Sequence, residues 1–346
     1  IDRLGQGSQL SLKVGSVVGN RFAKKIACSI YPIATERKAV PSYLNELGQF
    51  GFLNETMVDN LNGYIFNHAT TAEVAYEMIL AGQRRQLHRK SAEWYEKNFR
   101  DNLQPFYVRL ANHWIQAGDI IKASEYLEQE CNKLVSAGFT KQAIELGVKG
   151  INLFNINIDP GPSLVGQRIG ETMEAIAGLM ENKTIQSLSG LKQLDDAKTE
   201  RLIVMLTHIG PYTYIGGRLD LFVLLSVLGL KITLENGNAE ATADVYSMYS
   251  IVHRGITGDS RAAFDWSRLA IEIDNKHGGQ LHPRVAHVHA WFLNHWILPL
   301  SETFPVSRGG IDAGLASGDI MFACFNLAGY IVFMAAAGRH LDEVIE

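Results

Sequence analysis

The stretch LANHWIQAGDIIKASEYLEQECNKLVSAGFTKQAIELGVKGINLF, Leu110 to Phe154, reads as short helices broken at Gly118 and Gly138. Glycine just past a helix end takes the left-handed backbone that side chains resist, and a capping residue after it opens the next helix. The small Ala123 and Ala143 permit close helix approach. The beat continues downstream. Gly118, Gly138, Gly217, Gly237, Gly258, Gly278, Gly318 and Gly338 fall on a spacing of 20 or 21 residues or a multiple of it, with one residue of slippage before Gly217 and Pro299 near the missing beat. Gly118-Asp119, Gly258-Asp259 and Gly318-Asp319 repeat the handover with one dipeptide. Two helices per roughly 40 residues is the signature of an α-solenoid.

Upstream lies a joint, YIFNHATTAEVAYEMILAGQRRQLHRKSAEWYEKNF, Tyr64 to Phe99, in which a helix pair closes one small domain and opens the array. Thr70 or Thr71 is its cap candidate, with Glu73 behind. Before it, Leu10, Leu12, Val14, Val17 and Val18, then Phe22, Ile26 and Ile30, sit on helical spacings, broken at Gly19-Asn20. Ser42 follows Pro41 as a cap candidate, and Asp59, Asn60, Asn62 and Gly63 have the composition of a hairpin. Three short helices and a two-stranded wing make a winged-helix pattern. Recognition of DNA needs Arg, Lys, Asn or Gln aimed at bases, and SYLNELGQF offers only Asn45 and Gln49 beside Glu46, so no nucleic-acid partner is expected. The expected organisation is mainly α: a winged-helix-like domain over residues 1–66, a connecting helix pair over 67–102, TPR-like repeats over 103–158 and a continuing α-solenoid over 159–346. Asn155 to Leu164 is a linker by its Asp-Pro-Gly-Pro content, and Glu181 to Glu200 a long inter-helix loop or a poorly ordered helix end.

The 346 residues are 47% hydrophobic and 20% charged, ordinary globular usage that argues against disorder. A net charge of -4 gives no basic field for nucleic acid. The three cysteines, Cys28, Cys131 and Cys324, form no close pair, which points to a reduced cytoplasmic compartment. Ile320 to Ala337 carries no formal charge, but Asn326, Gly329 and its place in a helical series favour a buried solenoid helix over a membrane span. A first residue Ile1 and an end within a helical pattern suggest a piece of a larger protein.

No catalytic constellation is expected. There is no Gly-Lys dipeptide for a P-loop, and HRD, DFG and GxSxG are absent. His282, His287, His289 and His295 never stand four residues apart, so they read as packing or capping histidines and no metal is expected. Arg84, Arg85, His88, Arg89 and Lys90 form a basic turn and a half, either a solvated face paired with Glu93 and Glu96 or a face that docks an acidic partner.

Trp114, Gly118, Ala123, Tyr126 and Leu127 resemble the tetratricopeptide signature. LKVGSVVGNRF, LNELGQFGFL and the Tyr64 joint resemble the region after the AAA-type, STAND-like ATPase module of large signalling proteins. HAWFLNHWILPLSETFPVSRGGIDAGLASGDIMFACFNLAGYIVFMAAAGRHLDE is similar to the array of those that join a serine/threonine-kinase-like domain, an ATPase, a GAF domain and a histidine kinase. The resemblance runs from about Leu10 to the end. It implies a regulatory, protein-interaction region without a cofactor of its own, coupling ATP or ADP on an upstream ATPase domain to a signalling output. Its partners would be other domains of the same parent and proteins on the solenoid surface. The alternatives are the same region of a soluble class III adenylyl cyclase, serving cAMP signalling, or a free-standing scaffold. On this resemblance His68, with Glu73 and Arg84, would sense nucleotide state; otherwise His68 is a locally bonded helix-start histidine.

Overall fold

The computed structural model describes residues 1, 3–158, 161–277 and 281–345. It is mainly helical, with 17 α-helices and one three-stranded sheet among the described residues. Two compact units divide it, Ile1–Lys133 and Leu134–Glu346.

The first unit opens with α1 (Gln6–Val18), β1 (Arg21–Ala23), α2 (Lys24–Ile30), α3 (Val40–Gln49), β2 (Leu53–Val58) and β3 (Leu61–Phe66). The strands run antiparallel in the order β1-β3-β2. The hairpin expected around Asp59 is present: Asp59 and Asn60, both at positive φ, join β2 to β3 in a two-residue turn of the kind whose twist suits a hairpin. A third strand was hidden in the helical spacing, because Phe22 lies in β1 and not on a helix. Gly63 makes that pairing possible. A Cβ there would strike the Phe22 carbonyl. Phe22 then packs on Tyr64 and Phe66 with ring centres 6.0 and 5.8 Å away. The Tyr64 hydroxyl donates to Asn45 at 2.8 Å and Ser8 donates to Glu46 at 2.5 Å, so both α3 side chains serve their own unit.

Two expected caps move. Ala39, not Ser42, precedes α3, and Ser42 bonds back to the Ala39 carbonyl. His68 rather than a threonine precedes α4 (Ala69–Glu77). α5 (Ala81–Asn98), α6 (Tyr107–Ala117) and α7 (Ile120–Ser136) complete the series. Gly118 is left-handed, with its N–H on the Ile115 carbonyl and that of Asp119 on the Trp114 carbonyl, and the Asp119 carboxylate caps α7 at Lys122.

The second unit continues with α8 (Thr140–Asn152), α9 (Pro162–Met180), α10 (Ala197–Ile215), α11 (Leu219–Asn236), α12 (Thr242–Thr257), α13 (Ser260–His277), α14 (Pro283–Val288), α15 (Thr303–Ser317), α16 (Ile320–Ala336) and α17 (Leu341–Ile345). Residues His289–Leu293 extend α14 as a π turn. The core is made where α11 meets α9, α10 and α12, where α12 meets α13, and where α15 meets α16. Gly138, Gly217, Gly237, Gly258, Gly318 and Gly338 all take positive φ, while Gly278 lies outside the described residues. Asp259 and Asp319 cap the helices that follow them, as Asp119 does.

The linker after α8 is held by Asn152, which brackets Ile158, and by Arg168 on the Ile156 and Asn157 carbonyls; Asp159 and Pro160 of that linker lie outside the described residues. The polar stretch before α10 is a loop, pinned where Asn238 pairs with Lys192 and Leu194. α16 buries only one face. Phe322, Ala323, Asn326, Gly329, Phe333 and Met334 turn inward, whereas Ile320, Leu327, Ile331 and Val332 are exposed, so the helix expected to be buried is buried on one side only. No helix among the described residues is long and apolar enough to cross a membrane.

Candidate functional site

The residues singled out in the sequence lie on α4 and α5, and they separate into three groups. His68 and Glu73 are exposed. His68 stands at the start of α4 with extended backbone and makes no side-chain cap; its carbonyl accepts the Thr71 N–H at 3.0 Å. Arg84 is half-buried, pairs with both Glu77 oxygens at 3.1 and 3.2 Å, and lies 5.0 Å over the Tyr76 ring. Among the described residues no hydrogen bond links His68, Glu73 and Arg84 to one another. Arg85, Arg89 and Lys90 form the third group, exposed and without an ion pair among the described residues.

His88 leaves the expected basic face. His88 is buried beside exposed Arg85 and Arg89, at the edge where the outer face of α5 meets its packed side. Its Nε2 meets the Tyr76 hydroxyl at 3.0 Å and its Nδ1 meets Nδ1 of His113 at 2.9 Å. One imidazole must donate and the other accept, which requires an unprotonated nitrogen at that contact. Burial, reinforced by the Arg84 charge, lowers the His88 pKa to about 4. Burial, with His88 and Arg109 beside it, lowers that of His113 to about 3. Both rings are therefore neutral near pH 7.

Glu96, expected to neutralise the basic face, points the other way. Its Oε1 accepts from Trp114 Nε1 at 2.9 Å and from the Tyr126 hydroxyl at 2.8 Å, and Lys122 lies 3.8 Å from Oε2. One carboxylate thus ties α5 to α6 and α7. Nearby, Arg109 pairs with Asp59 at the hairpin turn, donates to the Tyr95 hydroxyl at 2.7 Å and stacks on Tyr95 and Phe106. Sequence reasoning missed His113, Tyr76, Arg109 and the role of Glu96. The only signal was Trp114 and Tyr126, two polar-edged aromatics that need a partner once buried.

Chemically this region offers exposed cations on a helix that is fixed from behind. No group of three or more His, Cys, Asp or Glu side chains that could hold a metal comes together among the described residues. The downstream histidines pack: His287 lies against Trp291, Phe322 and Phe325, His289 bonds Ser267 at 2.8 Å, and His282 precedes α14. Compared with known proteins, no family model matches the chain, no curated protein matches it, and no solved structure matches it.

Proposed function

We propose that this chain is a non-catalytic, protein-binding region of a multidomain signalling protein, a winged-helix-like domain followed by an α-solenoid of TPR-like helix pairs. The β1-β3-β2 sheet beside α1, α2 and α3 suits the first part, and the recurring Gly-Asp handover suits the second. The observation that carries the reading is the α5 surface. Arg85, Arg89 and Lys90 are exposed and form no ion pair among the described residues, on a helix whose inner face is fastened by His88, Trp94, Tyr95 and Glu96. Cations on a rigid support favour an acidic partner surface and steer its approach.

The partner in this reading is an ATPase domain of the same parent, of the AAA or STAND type, with His68, Glu73 and Arg84 responding to ATP or ADP and a histidine-kinase output downstream. Calorimetry tests it. ATP and ADP are titrated into this chain and into a longer one carrying the preceding roughly 300 residues, about two domains. Binding by the longer chain alone, weakened by His68→Ala and by joint replacement of Arg85, Arg89 and Lys90 with glutamate, is the expected result. A longer chain that binds no nucleotide overturns the ATPase coupling.

A further inference from the structure

The second unit holds a cavity of about 310 Å³, lined from α10, α11, α12, α14, the π turn and α16. Its walls are aromatic: Tyr214, Phe222, Trp291, Phe292, Phe322 and Phe325. They brace one another, with Tyr214 edge-on to Phe222 at 5.2 Å and to Phe292 at 5.9 Å, and Trp291 stacked beside His287 at 6.1 Å. Two backbone irregularities border the space. Pro211 lies inside α10 and supplies no N–H to the carbonyl of Thr207, four residues earlier, and both residues line the cavity. The π turn His289–Leu293 carries Trp291 and Phe292, and such turns interrupt regular helix packing, often at functional sites. Exposed Tyr214, Ile215 and Ala328 mark the mouth.

Two further observations define what fits. Ser247 is among the lining residues and only 2% exposed, and its buried hydroxyl has no hydrogen-bond partner among the described residues. A buried hydroxyl left so is costly unless something supplies the missing bond. Charge at the polar end, in contrast, is already matched. Arg284 lies 3.2 Å from Asp319 and 3.3 Å from His208 Nδ1, and its guanidinium lies over the Phe322 ring; Asp244 is 3.6 Å from His282. Of the residues that line the cavity, Arg284 and Asp244 carry opposite charges, so the lining presents no net charge to an ionic ligand.

We propose that this cavity binds a small, neutral, aromatic molecule carrying one hydrogen-bonding group, of the phenol or indole class, with its ring among the aromatic walls and its polar atom on the Ser247 hydroxyl. The volume stands at the small end of ligand pockets, roughly 300 to 1,000 Å³, which admits one or two rings. The inference is independent of the docking face on α5 and of any ATPase.

Calorimetric titration of the whole chain with phenol, indole, benzoate and phenyltrimethylammonium tests it. The neutral probes saturate one site, and the two ionic probes bind at least tenfold more weakly. Ser247→Ala weakens phenol about tenfold, the worth of one hydrogen bond, while the melting temperature of the unliganded protein holds or rises because an unsatisfied hydroxyl is gone. Ala328→Trp, at an exposed rim position, abolishes binding with the circular dichroism and melting temperature unchanged. The proposal is overturned if neither neutral probe saturates, if benzoate or phenyltrimethylammonium binds as tightly as phenol, or if folded Ala328→Trp binds phenol as well as the native chain does.

Discussion

The α6–α7 pair and the α15–α16 pair turn on the same Gly-Asp handover, yet they are closed by opposite means. Between α6 and α7 the contacts are polar and aromatic, with Trp114 and Tyr126 sharing the Glu96 carboxylate and Lys122 lying 4.0 Å over the Trp114 ring. Between α15 and α16 the backbones approach over small residues, with Gly310 against Asn326 and Gly314 against Ala323. The handover fixes connectivity, and the facing side chains fix whether the interior is stitched shut. Where large aromatics replace both polar stitches and small residues, around Trp291 and Phe322, the helices enclose a cavity.

The contrast can be broken most forcibly with acid. His88 and His113 ionise at about 4 and about 3, below the ordinary histidine value of 6.5. The unfolded chain therefore binds protons that the folded one refuses. Stability of the first unit is whole above about pH 7.5 and falls as pH drops through 6.5 toward 4, by on the order of 6 kcal/mol. Hydrogen exchange of α5 and α6, corrected for intrinsic rates, follows the loss, and His113→Phe flattens the slope. An unchanged slope in that variant removes the histidine pair from the explanation.

Gly314→Leu comes next. A Cβ at that position would stand 2.8 Å from the Ala323 Cβ and 3.0 Å from its backbone, so the helices must part, at about 3 kcal/mol. The denaturation midpoint of the second unit reports it, and the first unit should not move. Glu96→Ala orphans the Trp114 and Tyr126 donors and costs about 2 kcal/mol, with a red shift of tryptophan emission as the local signature. The smallest effect sharpens the comparison instead of breaking it. Gly118→Ala and Gly318→Ala, at φ +82° and +80° with open space around both, should each cost about 1 kcal/mol and by equal amounts. Unequal costs measured by chemical denaturation would mean that the handover is not the shared element of the two pairs.

What could be read in advance followed from local chemistry. The glycine beat located seven positive-φ glycines among the described residues because a positive φ is a property of one residue, and the Asp-Asn hairpin turn was legible for the same reason. β1 was not, since three residues of strand within a helical spacing are defined only by pairing with β3, some 40 positions away. His88 read as part of a basic run because its neighbours are Arg and Lys. Its true partner, His113, is 25 residues distant. The cavity left less trace still: Pro211, Ser247 and Trp291 belong to three separate elements, and only the packing of α10, α12 and the π turn brings them to one surface.

The clasp between Asp59 and Arg109 has a consequence for the order in which the first unit is assembled. The hairpin turn involves neighbouring residues and can form within microseconds, but its clasp closes a loop of 50 residues. During synthesis β2 and β3 emerge long before α6 exists. The hairpin therefore spends an interval formed but unclasped, and arrival of residue 109 at the ribosome exit is the event that can make its position permanent.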